Sequence, residues 1–111
     1  LALGANDGLR GIAPSEMEKN LDATIALAKE NKMTVVLAGM RLPPNYGRKA
    51  IEEYEAVFPR LAKKHSITLV PFLLEGVGGE KDLNTEDGVH PNEKGHRKMA
   101  ETVQPYLEKV L

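Results

Sequence analysis

The sequence predicts an α/β protein built on a parallel sheet, and three observations carry that prediction. Strand-like and helix-like stretches alternate along the chain. The strand-like stretches are short unbroken apolar runs, as expected where both faces of a strand are covered. Polar loops rich in glycine or proline follow the strands. At 111 residues the chain fits one compact domain.

Leu1, Ala2 and Leu3 run straight into a glycine turn and read as the end of a buried strand, so the chain is expected to be a piece of a larger protein. Gly4 to Gly11 reads as a loop holding the polar pair Asn6-Asp7. Ser15 followed by Glu18 spells a capping box, and Met17, Leu21, Ile25 and Ala28 recur at helical spacing up to Asn31. Thr34 to Met40 is the next strand, with Val35, Val36 and Leu37 in unbroken succession. Pro43-Pro44-Asn45 makes Arg41 to Gly47 a rigid loop at its carboxyl end. A helix from about Arg48 to Lys64 puts Ile51, Tyr54, Phe58 and Leu61 on one face, with Pro59 expected to kink or restart it. Ile67 to Leu73 is a third strand that should lose ladder pairing at Pro71. A polar loop from Glu75 to Asp87 leads past His90 into a last helix. That helix turns Met99, Val103, Leu107 and Val110 toward the core, and Pro105 is expected to bend it.

Composition narrows the function. The net charge is −1 with both signs interspersed, which points away from nucleic acid and from anionic membrane as partners. The chain has no cysteine, and this removes disulfides, thiolate metal sites and cysteine nucleophiles together. Apolar runs such as Ile67 to Leu74 are too short to span a bilayer, so stable membrane insertion is not expected.

Chemistry concentrates in two motifs. In Asp87-Gly88-Val89-His90-Pro91-Asn92 a carboxylate and an imidazole share one turn, as an orienting Asp and a general-base His would. Gly88 permits the tight backbone, Pro91 fixes φ near the helix start, and Asn92 or His90 suits the cap. The same residues also spell a solvated loop whose Asp merely caps a helix. In Gly4-Ala5-Asn6-Asp7 the Asn6 carboxamide, raised above a strand end, suits an oxyanion donor, with Asp7 bracing the turn. An ordinary Asx turn reads equally from that tetrad. Ligands bind at the carboxyl ends of parallel strands, so the two motifs are expected to meet.

No nucleophile accompanies them. The serines are Ser15, better read as a helix cap, and Ser66, a turn residue; neither follows a strand on a sharp glycine turn. His65 at a helix end and His96 among Lys94, Arg97 and Lys98 read as non-catalytic. A metal set of Asp82, Asp87, His90 and His96 matches no common zinc spacing and sits amid basic residues.

Taken together, Gly4-Ala5-Asn6-Asp7 and Asp87-Gly88-Val89-His90-Pro91 resemble the third and fifth sequence blocks of the SGNH, or GDSL-type, serine hydrolases. Leu3 to Gly11, Arg41 to Gly47 and Val70-Pro71-Phe72 resemble the bacterial arylesterase, acyl-thioesterase and lysophospholipase branch, and the likeness covers essentially the whole chain. The resemblance implies a flavodoxin-like three-layer fold with a parallel sheet. Residues 1–111 would then be the C-terminal portion of a single domain, without the first strands, the nucleophilic serine or the glycine of the second block. It implies Asn6 as oxyanion donor, His90 as base and then acid, Asp87 as its partner, and Gly4 and Asp7 in support. Gly8, Leu9 and Arg10 would belong to a mobile loop beside an acyl groove, which Pro43 and Tyr46 would also wall. No metal or cofactor is implied. The substrate would be a small acyl ester or thioester. With the first strands absent the sheet would present an open apolar edge, so pairing with a companion N-terminal fragment or another copy of the chain is expected. Members of this branch are often exported, which suggests a periplasmic or secreted parent. The alternative is a non-catalytic α/β module for binding or assembly, or an inactive fragment.

Overall fold

A computed structural model describes all 111 residues. The elements are α1 (Ala5–Leu9), α2 (Pro14–Glu30), β1 (Val36–Ala38), α3 (Arg48–His65), β2 (Thr68–Val70) and α4 (Glu93–Glu108). Short 3-10 turns occupy Pro44–Tyr46 and Lys81–Leu83. β1 and β2 pair in parallel, Val36 beside Thr68 and Ala38 beside Val70, with α3 as the crossover. On the other side of β1, the Leu1 amino group donates to the Val36 carbonyl at 2.8 Å and the Ala38 N–H donates to the Leu1 carbonyl at 2.9 Å. That is the bonding of a parallel neighbour, in line with a strand end at Leu1 to Leu3.

Alternation along the strands explains the layers. Val35 and Leu37 are buried in one cluster with Met17, Leu21 and Ile25 of α2 and Tyr54, Val57, Phe58 and Leu61 of α3. Ile67 and Leu69 pack against the same cluster. Val36, Thr68 and Val70 face the other way, where α4 packs on β2 outside that cluster. The chain is thus a three-layer α/β arrangement with a narrow sheet. Full burial of a side chain such as Phe58 is worth about 2–3 kcal/mol, so the α2/α3 layer carries most of the core.

Several expectations need correction. Gly4 to Gly11 is not simply a loop, because Ala5–Leu9 forms a helix. Its glycines serve as ends, with Gly4 at the N-cap at φ 112° and Gly11 just past the C-cap at φ 72°. The capping box does not form. Pro14 occupies the first turn of α2, the N-cap is Ala13, and Glu18 instead takes two hydrogen bonds from Arg60 of α3, at 2.9 and 2.6 Å. Pro59 does not restart α3, whose buried residues continue from Tyr54 to Ala62 on either side of it. The strands are shorter than expected, β2 ending just before Pro71. Coverage of the sheet is also unequal: Val36 is only half-buried, and on α4 Met99 and Val103 are half-buried while Leu107 is 42% exposed.

Candidate active site

The turn after the last strand is built around the Asp87 carboxylate. Its Oδ1 accepts from the Thr85 hydroxyl at 2.6 Å, from the Val89 N–H at 3.0 Å and from the His90 N–H at 3.1 Å. Its Oδ2 lies 2.6 Å from Nδ1 of His90. The Thr85 hydroxyl, then the imidazole and the two backbone donors, hold the carboxyl far below the usual carboxylate range. An ionised carboxylate only accepts hydrogen bonds, so Nδ1 of His90 carries the proton and, in the neutral ring, Nε2 keeps its lone pair. Nε2 has no protein partner, and the His90 side chain is 76% exposed.

The loop is held in shape from below. Gly88, at φ 74°, makes the reversal, with its N–H on the Thr85 carbonyl at 2.9 Å and the Thr85 N–H on the His90 carbonyl at 2.8 Å. Asn84 bridges to Pro91 and sends its amide to the Val77 and Glu80 carbonyls at 2.8 and 2.7 Å. Asn92 is the N-cap of α4, accepting from the Gly95 N–H at 3.0 Å, and its amide donates to the Asp82 carbonyl at 2.9 Å. The Asp87 turn therefore both caps nothing and clasps an imidazole, while the capping falls to Asn92. Gly95 is buried because α4 starts directly against the Lys81–Leu83 turn.

Asn6 lies in the first turn of α1, exposed, with its carboxamide free of hydrogen bonds to the protein. It lines an open cleft of about 380 Å³ with Gly4, Asp7, Met17 and Asn20 among others. The Asx turn is absent, and Asp7 does not brace the turn with its carboxylate; only its backbone carbonyl is engaged, by the Ile12 N–H at 2.9 Å. The Gly4, Asn6, Asp7 and Gly8 carbonyls are taken by helical and turn bonds, whereas the first-turn N–H groups of α1 have no side-chain cap. Gly8 is buried under Leu42 and Tyr54. Leu9, Arg10 and Pro43 are exposed, and the Tyr46 hydroxyl donates to the Leu9 carbonyl at 3.0 Å, tying the 41–47 loop to α1. Asp87 and His90 are thus brought together, as are Gly4, Asn6 and Asp7, but no hydrogen bond joins Asn6 to the His90 turn. Ser66 caps α3 in the left-handed region and Ser15 lies in the first turn of α2.

Thr85, Asn84 and Gly95 are supporting residues that sequence reasoning passed over. The Thr-x-Asp spacing was the available signal for Thr85, since a hydroxyl two residues from an Asp reaches its carboxylate locally.

The carboxylate-held imidazole after the strands of an α/β sheet has the tautomer and orientation that a general-base histidine requires. The chain belongs to the GDSL-like lipase/acylhydrolase family, whose sequence model matches residues 1–98. It is 40% identical to the esterase TesA of Pseudomonas aeruginosa over 111 residues, all of this chain and 55% of that protein. It is 35% identical over 109 residues to thioesterase 1/protease 1/lysophospholipase L1 of Escherichia coli K12, 98% of this chain and 52% of that one. A crystal structure of TesA superposes with a TM-score of 0.93 at 41% identity, covering 98% of this chain and 61% of the other. The chain spans about half the length of the curated relatives it matches.

Proposed function

We propose that residues 1–111 are the C-terminal portion of a single hydrolase domain, and that the intact protein is a serine esterase acting on acyl esters or thioesters. The observation that carries this reading is the 2.6 Å contact between Asp87 Oδ2 and His90 Nδ1 on an ionised Asp87. It leaves Nε2 as the basic nitrogen. Family membership and the names of the relatives support the reaction class.

The steps follow from that geometry. His90 Nε2 takes the proton of a serine hydroxyl as its oxygen attacks the acyl carbonyl, and Asp87 stabilises the imidazolium. The tetrahedral oxyanion receives a hydrogen bond from the Asn6 carboxamide. His90 then gives its proton to the departing alcohol or thiol. A water activated by the same nitrogen releases the acid and restores the serine. The serine comes from a segment outside residues 1–111, in the same polypeptide or a companion chain; another copy of this chain would bring only Ser15 and Ser66. Gly4 shapes the oxyanion turn and Asp7 borders its cleft. Gly8, Leu9 and Arg10, tied through Leu9 to Tyr46 beside Pro43, wall the acyl groove.

The test is labelling with a fluorophosphonate, which tags activated serines, read by intact and peptide mass. The protein is prepared with its serine-bearing segment joined or co-expressed. The tag should fall on that segment and disappear in folded His90→Ala protein. Labelling of Ser15 or Ser66, or labelling undiminished by His90→Ala, refutes the reading.

A further inference from the structure

The side chain of Asn6 has no protein partner, so its position is set by the backbone of the turn that carries it. That turn is anchored from a distance. The hydroxyl of Tyr54, fifty residues further along the chain, donates to the Gly4 carbonyl at 2.8 Å. The same carbonyl accepts the Gly8 N–H at 3.1 Å, so both of its lone pairs are used. Gly4 stands at φ 112°, outside the range of ordinary residues, and the direction of its carbonyl fixes the peptide plane from which Ala5 and Asn6 depart.

Tyr54 is 2% exposed and stacks edge-on against Phe58, ring centroids 5.6 Å apart. A phenyl ring alone would fill that space, and a buried hydroxyl is unfavourable unless bonded. The hydroxyl's partner is Gly4. Tyr54 also explains Gly8, since a Cβ there would lie 2.7 Å from its ring. Burial, then the nearby Asp7 and Glu55 carboxylates, push the phenol up to about 12. It therefore stays protonated and serves as a fixed donor rather than as an acid or base.

We infer that Tyr54 is a positioning residue for the oxyanion donor: its hydroxyl, through the Gly4 carbonyl, holds the turn that aims Asn6. The inference rests on the role proposed above for Asn6. It assigns a function to α3 that its core packing does not require.

The experiment is a double-mutant cycle in the intact hydrolase, with Tyr54→Phe and Asn6→Ala singly and together. Kinetics are read on a short-chain aryl ester well below the melting midpoints of all four proteins. Tyr54→Phe should lower kcat about tenfold, the effect of one ordinary hydrogen bond, with KM within about twofold. In the Asn6→Ala background the same change should leave kcat unaltered. A kcat for Tyr54→Phe within about twofold of wild type, a change in KM alone, or an undiminished effect beside Asn6→Ala would each overturn the inference. If Asn6→Ala itself leaves kcat unchanged, the oxyanion role of Asn6 fails first, and the two failures are told apart by that single variant.

Discussion

Replacing Gly95 by alanine tests how closely the His90 turn depends on the start of α4. A Cβ at Gly95 would lie 2.2 Å from the Leu83 carbonyl oxygen, 2.9 Å from Pro91 Cβ and 3.2 Å from Val77 Cγ1. The first contact is roughly 1.2 Å short of the 3.4 Å at which packing becomes ordinary, and it is with backbone, so nothing flexible can yield. The Leu83 carbonyl also accepts the Asn92 N–H at 2.9 Å, and moving it strains that bond. Overpacking of this kind costs about 1–3 kcal/mol, and loss of the hydrogen bond adds about 1 kcal/mol. Alanine's better helix propensity returns at most about 1 kcal/mol, leaving a net loss of roughly 1–3 kcal/mol. In the intact hydrolase domain, roughly 200 residues long if it matches its relatives, that lowers Tm by about 2–12 °C, measured by circular dichroism. The sign is the informative part, because helix propensity alone predicts stabilisation. An unchanged or raised Tm for Gly95→Ala would refute the argument that α4 is seated on the 81–83 turn.

In the intact hydrolase Asn6→Ala should lower kcat by ~10²–10³ with KM little changed, and an effect below about threefold in folded protein would sink the oxyanion role. His90→Ala should cost about 10³-fold or more, since base and acid steps both use it, and retained esterase activity would remove it from the mechanism. Acid stability follows from the α2–α3 seam. Glu18 lies below its ordinary 4.5 because Arg60 donates to it, and Asp22 lies below its ordinary 3.8 because His65 and then Lys64 donate to it. Depressed carboxylates lend stability that is complete above their unfolded values and lost as pH falls through the folded ones. Tm should therefore hold down to about pH 5 and fall below about pH 4, less steeply in Glu18→Gln. Equal slopes in the two proteins would show that the Arg60 pair contributes nothing measurable.

The legible parts of this fold are those whose determinants lie close together in sequence. The α2 and α3 stripes were read from helical spacing, and Met17, Leu21, Ile25, Tyr54, Phe58 and Leu61 are the core. Asp87 and His90 were readable because a glycine turn brings residues three apart into contact. What escaped depends on remote partners. Nothing local to Ala5–Leu9 announces a helix, because glycines bound it and the groups that bury it, Leu42 and Tyr54, belong to later elements. Ser15 and Glu18 spell a cap, yet Arg60 of α3 offers Glu18 a charged partner that outweighs the local bond. Leu107 fits the helical stripe but remains exposed, because helical spacing gives the side of α4 that is apolar and not how much of it the two-stranded sheet covers. The roles proposed for Asn6, Gly8 and Tyr46 rest on family resemblance, because spacing alone left them open.

The two motifs are consequently held by different parts of the molecule. Every hydrogen bond that shapes the Asp87-His90 turn comes from residues 77–95, and the carboxylate–imidazole contact spans three residues. The backbone on either side of Asn6 is instead held by Tyr54 and Tyr46, fifty and thirty-seven residues from the Gly4 and Leu9 carbonyls they bond. The imidazole clasp is thus a local structure, whereas the turn carrying Asn6 is seated against α2, α3 and the 41–47 loop. A disturbance that loosens the α2/α3 layer reaches Asn6 through those two hydroxyls before it reaches His90. In the proposed mechanism, core packing is therefore felt first in stabilisation of the oxyanion, and the proton-transfer pair is insulated from it by the 77–95 network.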